Sequence, residues 1–180
     1  LETMDFAELA VEDAFGDADT TAQKFNNHRF VVIKARDADN RLDTEPVAVF
    51  IKENLLITVR HAAIPALDIL SRRFKKAENA ELELGVDFLL YEMLDAIADD
   101  WVPILNTYSR QLDDLEFQVF DPAIRYDGVL EGLHDLKRQL REASKSIESL
   151  NTVTMRLLRS NERLISEGVT RYFSDLNQLS

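Results

Sequence analysis

The sequence predicts an α+β fold that is predominantly helical: a small partial β-sheet with flanking helices, then a long antiparallel helical hairpin and the start of one more helix. Two observations carry this. β-rich runs are confined to residues 28–61, whereas from Val86 onward apolar residues recur every three or four positions. That helical periodicity is interrupted near Asp121 and again near Ser166, so it folds back on itself instead of forming one rod. The expected division is a partial α/β unit over 1–84, the hairpin over 85–165, and the further helix over 166–180.

Element by element, "MDFAELAVEDAF" has helical spacing at Phe6, Leu9, Ala10 and Phe15 and stops at Gly16. "HRFVVIKA" is a strand. "PVAVFIKENLLITVRH" gives two strands joined at Glu53-Asn54, with Pro46 at the entry. "IPALDILSRRFKKA" turns helical, placing Ile64, Leu67, Leu70 and Phe74 on one face. From Val86 a single apolar line runs through Leu90, Met93, Ile97, Trp101, Ile104, Tyr108, Leu112 and Leu115 to Val119, and Pro103 within it predicts a kink. Asp121-Pro122 reads as an N-cap followed by proline at the first helical position. Beyond it, Leu133, Leu136, Leu140, Ala143, Ile147, Leu150, Thr154 and Leu157 form a coiled-coil-like seam.

Composition narrows function. At 46% hydrophobic and 30% charged residues, the 180-residue chain is apolar enough to bury a core. The absence of cysteine excludes disulfides and thiolate metal sites and fits a reducing compartment. No apolar run approaches the ~20 residues of a membrane helix, and no signal-peptide pattern opens the chain. The first residue is Leu and the last helix reaches Ser180 uncapped, so we expect a piece of a longer protein. The net charge of −12 lies wholly in residues 1–120, with 24 acids against 12 bases; residues 121–180 hold nine of each. Such a body does not suit a phosphate backbone, so nucleic acid is not an expected partner.

An enzyme is not expected either. His28, His61 and His134 are scattered, without metal-ligand spacing, and read as surface or strand-end residues. No nucleophile elbow or phosphate loop is present. The carboxylates are the stronger lead. Within residues 85–105, Glu92, Asp95 and Asp99 stack at i, i+3 and i+7, where like charges repel. No Lys or Arg lies between Lys76 and Arg110; the expected partners are Lys137, Arg138, Arg141 and Lys145 on the antiparallel helix. Asp95 lies opposite its helix's apolar line, facing solvent or a partner. Glu12 and Asp13 sit at the end of the first helix, where the dipole disfavours anions. Sparse, solvent-facing oxygens suit Mg²⁺, which keeps most of its waters. A plainly solvated acidic face is the other reading.

Six stretches in order, "LAVEDAF", "HRFVVIKA", "VAVFIKENLLITVRH", "FLLYEMLDAIADDWVPIL", "LHDLKRQL" and "TRYFSDLNQL", resemble the cytoplasmic region of the CorA-type divalent metal ion transporters. The resemblance covers essentially the whole chain. It lacks the family's Gly-Met-Asn signature, both membrane helices and the first strands of the soluble domain. It implies a soluble fragment from the cytoplasmic face of the inner membrane, ending partway down a stalk helix that enters the membrane. It also implies a homopentamer whose pore is held closed by divalent cations bound between neighbouring domains.

By that resemblance Asp13, with Glu12 beside it, matches the interfacial acid, and Asp175 the stalk acid of the adjacent subunit. Asp95 matches a second site. The family often has Asp-x-x-Asp-His where this chain reads Asp175-Leu176-Asn177-Gln178-Leu179, so the second site loses charge. The implied regulatory ion is Mg²⁺, with Co²⁺ or Zn²⁺ as alternatives. A ZntB-like zinc transporter would share the architecture, although no cysteine or histidine pair favours zinc. From another class, the chain reads as a soluble helical scaffold that binds protein partners through its hairpin.

Overall fold

Residues 30–33 and 47–51 are apolar at every position, which a sheet accommodates only when both faces are covered. The structure, a computed structural model, describes residues 5–16, 20–38, 43–76, 84–119, 126–159 and 165–176, and it has that arrangement. Strands β1 (Thr21–Lys24), β2 (Arg29–Arg36), β3 (Thr44–Lys52) and β4 (Leu55–Arg60) form an antiparallel meander in the order β1-β2-β3-β4. The β2–β3 register sets Phe30 opposite Phe50 and Val32 opposite Ala48 on an outer face. Val31–Val49 and Ile33–Val47 pairs share the inner face.

The outer face carries helix α1 (Glu8–Phe15), which buries Ala10 and Ala14, together with Phe6 just before it, against Phe30, Val32, Ala48 and Phe50. Leu9 and Phe15, expected on the packed side, are 57% and 60% exposed. Two small residues one turn apart let the helix lie close to the sheet, and that turns its larger side chains away. The inner face is covered by α2 (Pro65–Lys76), α3 (Val86–Asp99), the C-terminal part of α5 (Tyr126–Arg159) and α6 (Glu167–Leu176), which join β2 and β3 in one core. Pro65 opens α2 as a first-turn residue, where its missing N–H leaves no bond unmade.

Two features of the sheet differ from expectation. Strand β1 was not legible, because Thr-Ala-Gln-Lys has no apolar alternation; it is a short polar edge, which discourages pairing with other chains. Pro46 lies inside β3 opposite Lys34, but β4 pairs only from Val47 onward, so the proline faces an unpaired side. The Glu53-Asn54 turn is where the sequence placed it, with Glu53 at φ 44°.

The long helical run from Val86 is interrupted in the turn before Pro103, whose missing N–H leaves the Asp99 carbonyl without its helical partner. The run breaks at Asp100-Trp101, and α4 (Val102–Val119) starts afresh with Pro103 in its first turn, where proline is tolerated. A long-range ion pair braces the same turn. Arg36 on β2 donates from Nε and Nη2 to the two carboxylate oxygens of Asp100, each at 2.9 Å. Trp101 is 1% exposed and seeds a separate core with Ile104, Tyr108, Leu136 and Ala143, which fastens α4 antiparallel to α5. At Gly132 of α5 a Cβ would stand 2.9 Å from a terminal methyl of Leu115, so a side chain there would have to push that leucine aside. Asp121-Pro122, read as an N-cap, lies outside the described residues. Among the described residues no helix is long and apolar enough to cross a membrane.

The Arg36 and Asp100 side chains are 14% and 17% exposed. Asp100→Ala should therefore leave a nearly enclosed guanidinium uncompensated and cost about 3 kcal/mol, a fall on the order of 6–12 °C in Tm. Arg36→Met with Asp100→Leu should recover most of that loss. Thermal and urea unfolding measure both. A single variant within about 1 kcal/mol of wild type would mean that the pair does not hold the break.

Candidate metal-binding carboxylates

The acidic stripe on α3 is less bare than its sequence neighbourhood implies. Glu92 forms an ion pair with Arg73, which α2 brings across from 19 positions away. The bases expected to serve, on α5, do not reach it; Arg138 pairs instead with Asp135 of its own helix at 3.2 Å. Asp95 and Asp99 make no ion pair among the described residues. Together with Glu92, Arg73, Asp100 and Pro103 they line a cleft of about 340 Å³ between α2 and α3. A groove of about 830 Å³ between α4 and α5 is floored by leucines and gathers no carboxylate cluster.

Asp95 is half-buried, and burial, reinforced by the charge of Asp99, pushes its carboxyl above the usual range; the Tyr91 hydroxyl bond and Arg73 act in the other direction. Burial raises the Tyr91 phenol as well, followed by the charges of Asp95, Asp99 and Asp175. Tyr91 therefore marks where α3 and α6 bring their acids together. Its ring lies 5.2 Å from that of Tyr172 and 6.0 Å from that of Phe173. Asp87 at the start of α3, 8% exposed, serves the fold instead. Its carboxylate accepts the Phe88 and Ser166 N–H groups at 3.0 and 2.8 Å and ties α3 to the entry of α6.

The four acids singled out from sequence fall into two groups. Glu12, exposed, and Asp13, half-buried, belong to α1 on the outer face of the sheet. Asp95 and Asp175 belong to α3 and α6 on the inner face. One chain therefore brings Asp95 and Asp175 to the same side but keeps Asp13 and Asp175 on opposite sides. Among the described residues, Glu12, Asp13 and Asp175 have no ion-pair partner, and no three His, Cys, Asp or Glu residues are grouped closely enough to hold a metal ion. Gln178 and Leu179 lie outside the described residues. Arg36, Asp87 and Tyr91 carry much of the local electrostatics and were missed in sequence, since each acts on a partner far along the chain.

The raised carboxyl of Asp95 has a definite sign. With a folded pKa above the unfolded one, its favourable contribution is complete below about pH 4 and is lost as pH rises through the raised value. At neutral pH the charged Asp95 costs stability. In metal-free buffer Asp95→Asn should raise Tm at pH 7 by about 1–3 °C, and the gain should vanish near pH 4. A neutral or lowered Tm at pH 7 would contradict this electrostatic picture.

A match to the family described as CorA-like Mg²⁺ transporter protein runs over residues 1–178. The Cobalt/magnesium transport protein CorA of Thermotoga maritima is 27% identical over 155 residues, covering 84% of this chain and 44% of the relative. Three curated relatives are matched over 44–53% of their lengths, so the chain spans about half of each. The solved soluble domain of CorA from Methanocaldococcus jannaschii superposes with a TM-score of 0.77 at 23% identity, over 94% of this chain and 69% of that one. The ZntB cytoplasmic domain from Vibrio parahaemolyticus gives the same TM-score at 12% identity, over 99% and 73%. At those identities the structures speak for the fold alone, which is the α+β arrangement of small sheet, flanking helices and hairpin. The match over residues 1–178 goes further, and by it the chain belongs to the CorA-like Mg²⁺ transporter family.

Proposed function

We propose that this chain is the metal-sensing cytoplasmic part of a CorA-like divalent cation channel. In this reading its interfacial carboxylates hold Mg²⁺ between neighbouring copies and so favour the closed state. The observation that carries the reading is the separation of Asp13 and Asp175. They stand on helices covering opposite faces of one sheet, and neither has an ion-pair partner among the described residues. A site using both needs two copies of the chain, as in the homopentamer that the reading assumes.

The donor set fits the ion. Carboxylate oxygens, few and open to water, suit Mg²⁺, which retains waters and takes one or two carboxylates; Co²⁺ could use the same oxygens. Zinc prefers four nitrogen, sulfur or oxygen ligands, and the chain offers no cysteine. With the ion bound, Asp13 and Glu12 of one copy and Asp175 of the next are drawn together. When cytosolic Mg²⁺ falls, their mutual repulsion returns and the population moves towards the open state. Asp95, beside Asp99 and Tyr91, would form a weaker second site. In the hairpin, Ile104, Tyr108, Leu136 and Ala143 pack within the chain, while the leucine-lined groove between α4 and α5 stays open.

In the full-length channel, Asp13→Ala with Asp175→Ala should weaken closure by internal Mg²⁺; unchanged block would end the gating reading. For the 180-residue chain, Mg²⁺ at about 100 times its Kd should add roughly 2.7 kcal/mol, or about 5–10 °C in Tm. That shift should exceed the one from NaCl of equal ionic strength and should grow with protein concentration. A shift independent of protein concentration would place the site within one copy.

A further inference from the structure

One buried titratable group stands apart from the carboxylates. His28, 5% exposed, lies in the turn between β1 and β2 on the outer face of the sheet, enclosed by aromatic rings. Phe25 stacks on it with centroids 4.8 Å apart, Phe6 meets it edge-on at 4.9 Å, and Phe50 lies 6.1 Å away. Its hydrogen bonds identify the tautomer. The Asn27 amide nitrogen donates to the backbone carbonyl and to a carboxylate oxygen of Asp5, both at 2.8 Å, so the Asn27 carbonyl oxygen is the atom turned to the ring. That oxygen is 2.7 Å from Nδ1 and can only accept, so Nδ1 carries the proton in the neutral ring. Nε2 is then a bare acceptor, buried and without a hydrogen-bond partner.

We propose that His28 is a proton-operated latch for α1: the neutral ring docks Phe6 and holds α1 on the sheet, and protonation at Nε2 releases them. The added proton would place a new N–H and a full charge among phenyl rings, where neither finds an acceptor. What it undocks is lightly held. α1 has eight residues and buries only Ala10 and Ala14, so Phe6, with its ring 4.9 Å from His28 and 4.8 Å from Phe50, is its main anchor.

The charged groups around the ring agree with this direction. Lys52, at the end of β3, disfavours the imidazolium and Asp5 favours it, while burial is the largest influence; together they hold the ring below its ordinary pKa of 6.5. Lys24 and Arg29 pair in register on the opposite face of the hairpin. With the folded value lowered, the unfolded chain binds more protons in the interval below 6.5, so α1 docking is complete above that pH and weakens as pH falls through it. The latch does not depend on metal binding. Only its consequence, that mild acid would uncouple Glu12 and Asp13 from the sheet, rests on the function proposed above.

The test is residue-resolved NMR and hydrogen exchange of the 180-residue chain without metal, from pH 7.5 to 5.5. The His28 ring should carry Nδ1–H at neutral pH and titrate below its ordinary value. Protection of α1 amides, corrected for intrinsic exchange, should fall while β2 and β3 stay protected, by about tenfold for each pH unit that docking depresses the ring. His28→Phe should keep α1 protected at pH 5.5. An Nε2–H tautomer, titration at or above the ordinary value, or α1 protection unchanged across this range would overturn the latch. So would equal loss of protection in a folded His28→Phe. If that variant does not fold, the wild-type tautomer and titration decide.

Discussion

Both carboxylate oxygens of Asp100 are held by one guanidinium, that of Arg36, and this bond ties the break between α3 and α4 to the sheet on which the later helices pack. It is made across 64 positions of sequence and is largely shielded from water. Pro103 interrupts the helix in the turn before it, and there the ion pair fixes Asp100 to β2 while Trp101 turns inward. The direction of α4, and so of the hairpin it forms with α5, follows from that turn. α5 then returns to the sheet, where Leu150, Val153 and Leu157 complete the inner core and give α6 a surface to pack on. The ion pair adds less to stability than a hydrophobic pair of equal volume would. Its value is geometric: it selects the place on the sheet to which the turn broken by Pro103 is tied.

That selection explains what sequence could and could not convey. The central strands were legible from the β-rich runs at 28–35 and 46–61, and the α5 seam because Leu136, Ala143, Leu150 and Leu157 keep their spacing into the buried state. Local patterning specified both. The break before α4 was legible from Pro103, but the tie from Asp100 to the sheet was not, since its partner Arg36 is a strand residue 64 positions away. β1 escaped for a different reason: as an edge strand it is polar, and only its register with β2 defines it. The family resemblance brought out Asp13 and Asp175, which no periodicity marks. It could not show that Glu92 is already paired with Arg73, because that pair exists only once α2 lies against α3.

The paired and unpaired acids separate by role. Asp100, Glu92 and Asp87 are tied to a guanidinium or to backbone N–H groups, and each joins two elements of the fold. Asp95 and Asp99 share one helix face without such support, and burial together with the charge of Asp99 raises the Asp95 carboxyl. Glu12, Asp13 and Asp175 lie outside this network. An acidic chain could have placed bases beside them, since nine lie in its last 60 residues, counting from 121 to 180. The charge-complementary neighbours went instead to acids that hold the architecture.

Weakness at each exposed carboxylate is an advantage for a sensor. Two unit charges 4 Å apart in water interact by only about 1 kcal/mol, so a divalent ion between two carboxylates gains only about 3–4 kcal/mol from them. Moving a two-state equilibrium from 1:99 to 99:1 takes about 5.5 kcal/mol of differential binding. One shared site of the proposed kind falls short of that, whereas several in a closed ring of copies can reach it. Sites built this way release their ion readily when its concentration falls, which a single tight site would not. The same argument favours carboxylates on opposite faces of the sheet. A pair enclosed within one chain would bind the ion equally in the closed and open arrangements and could shift neither.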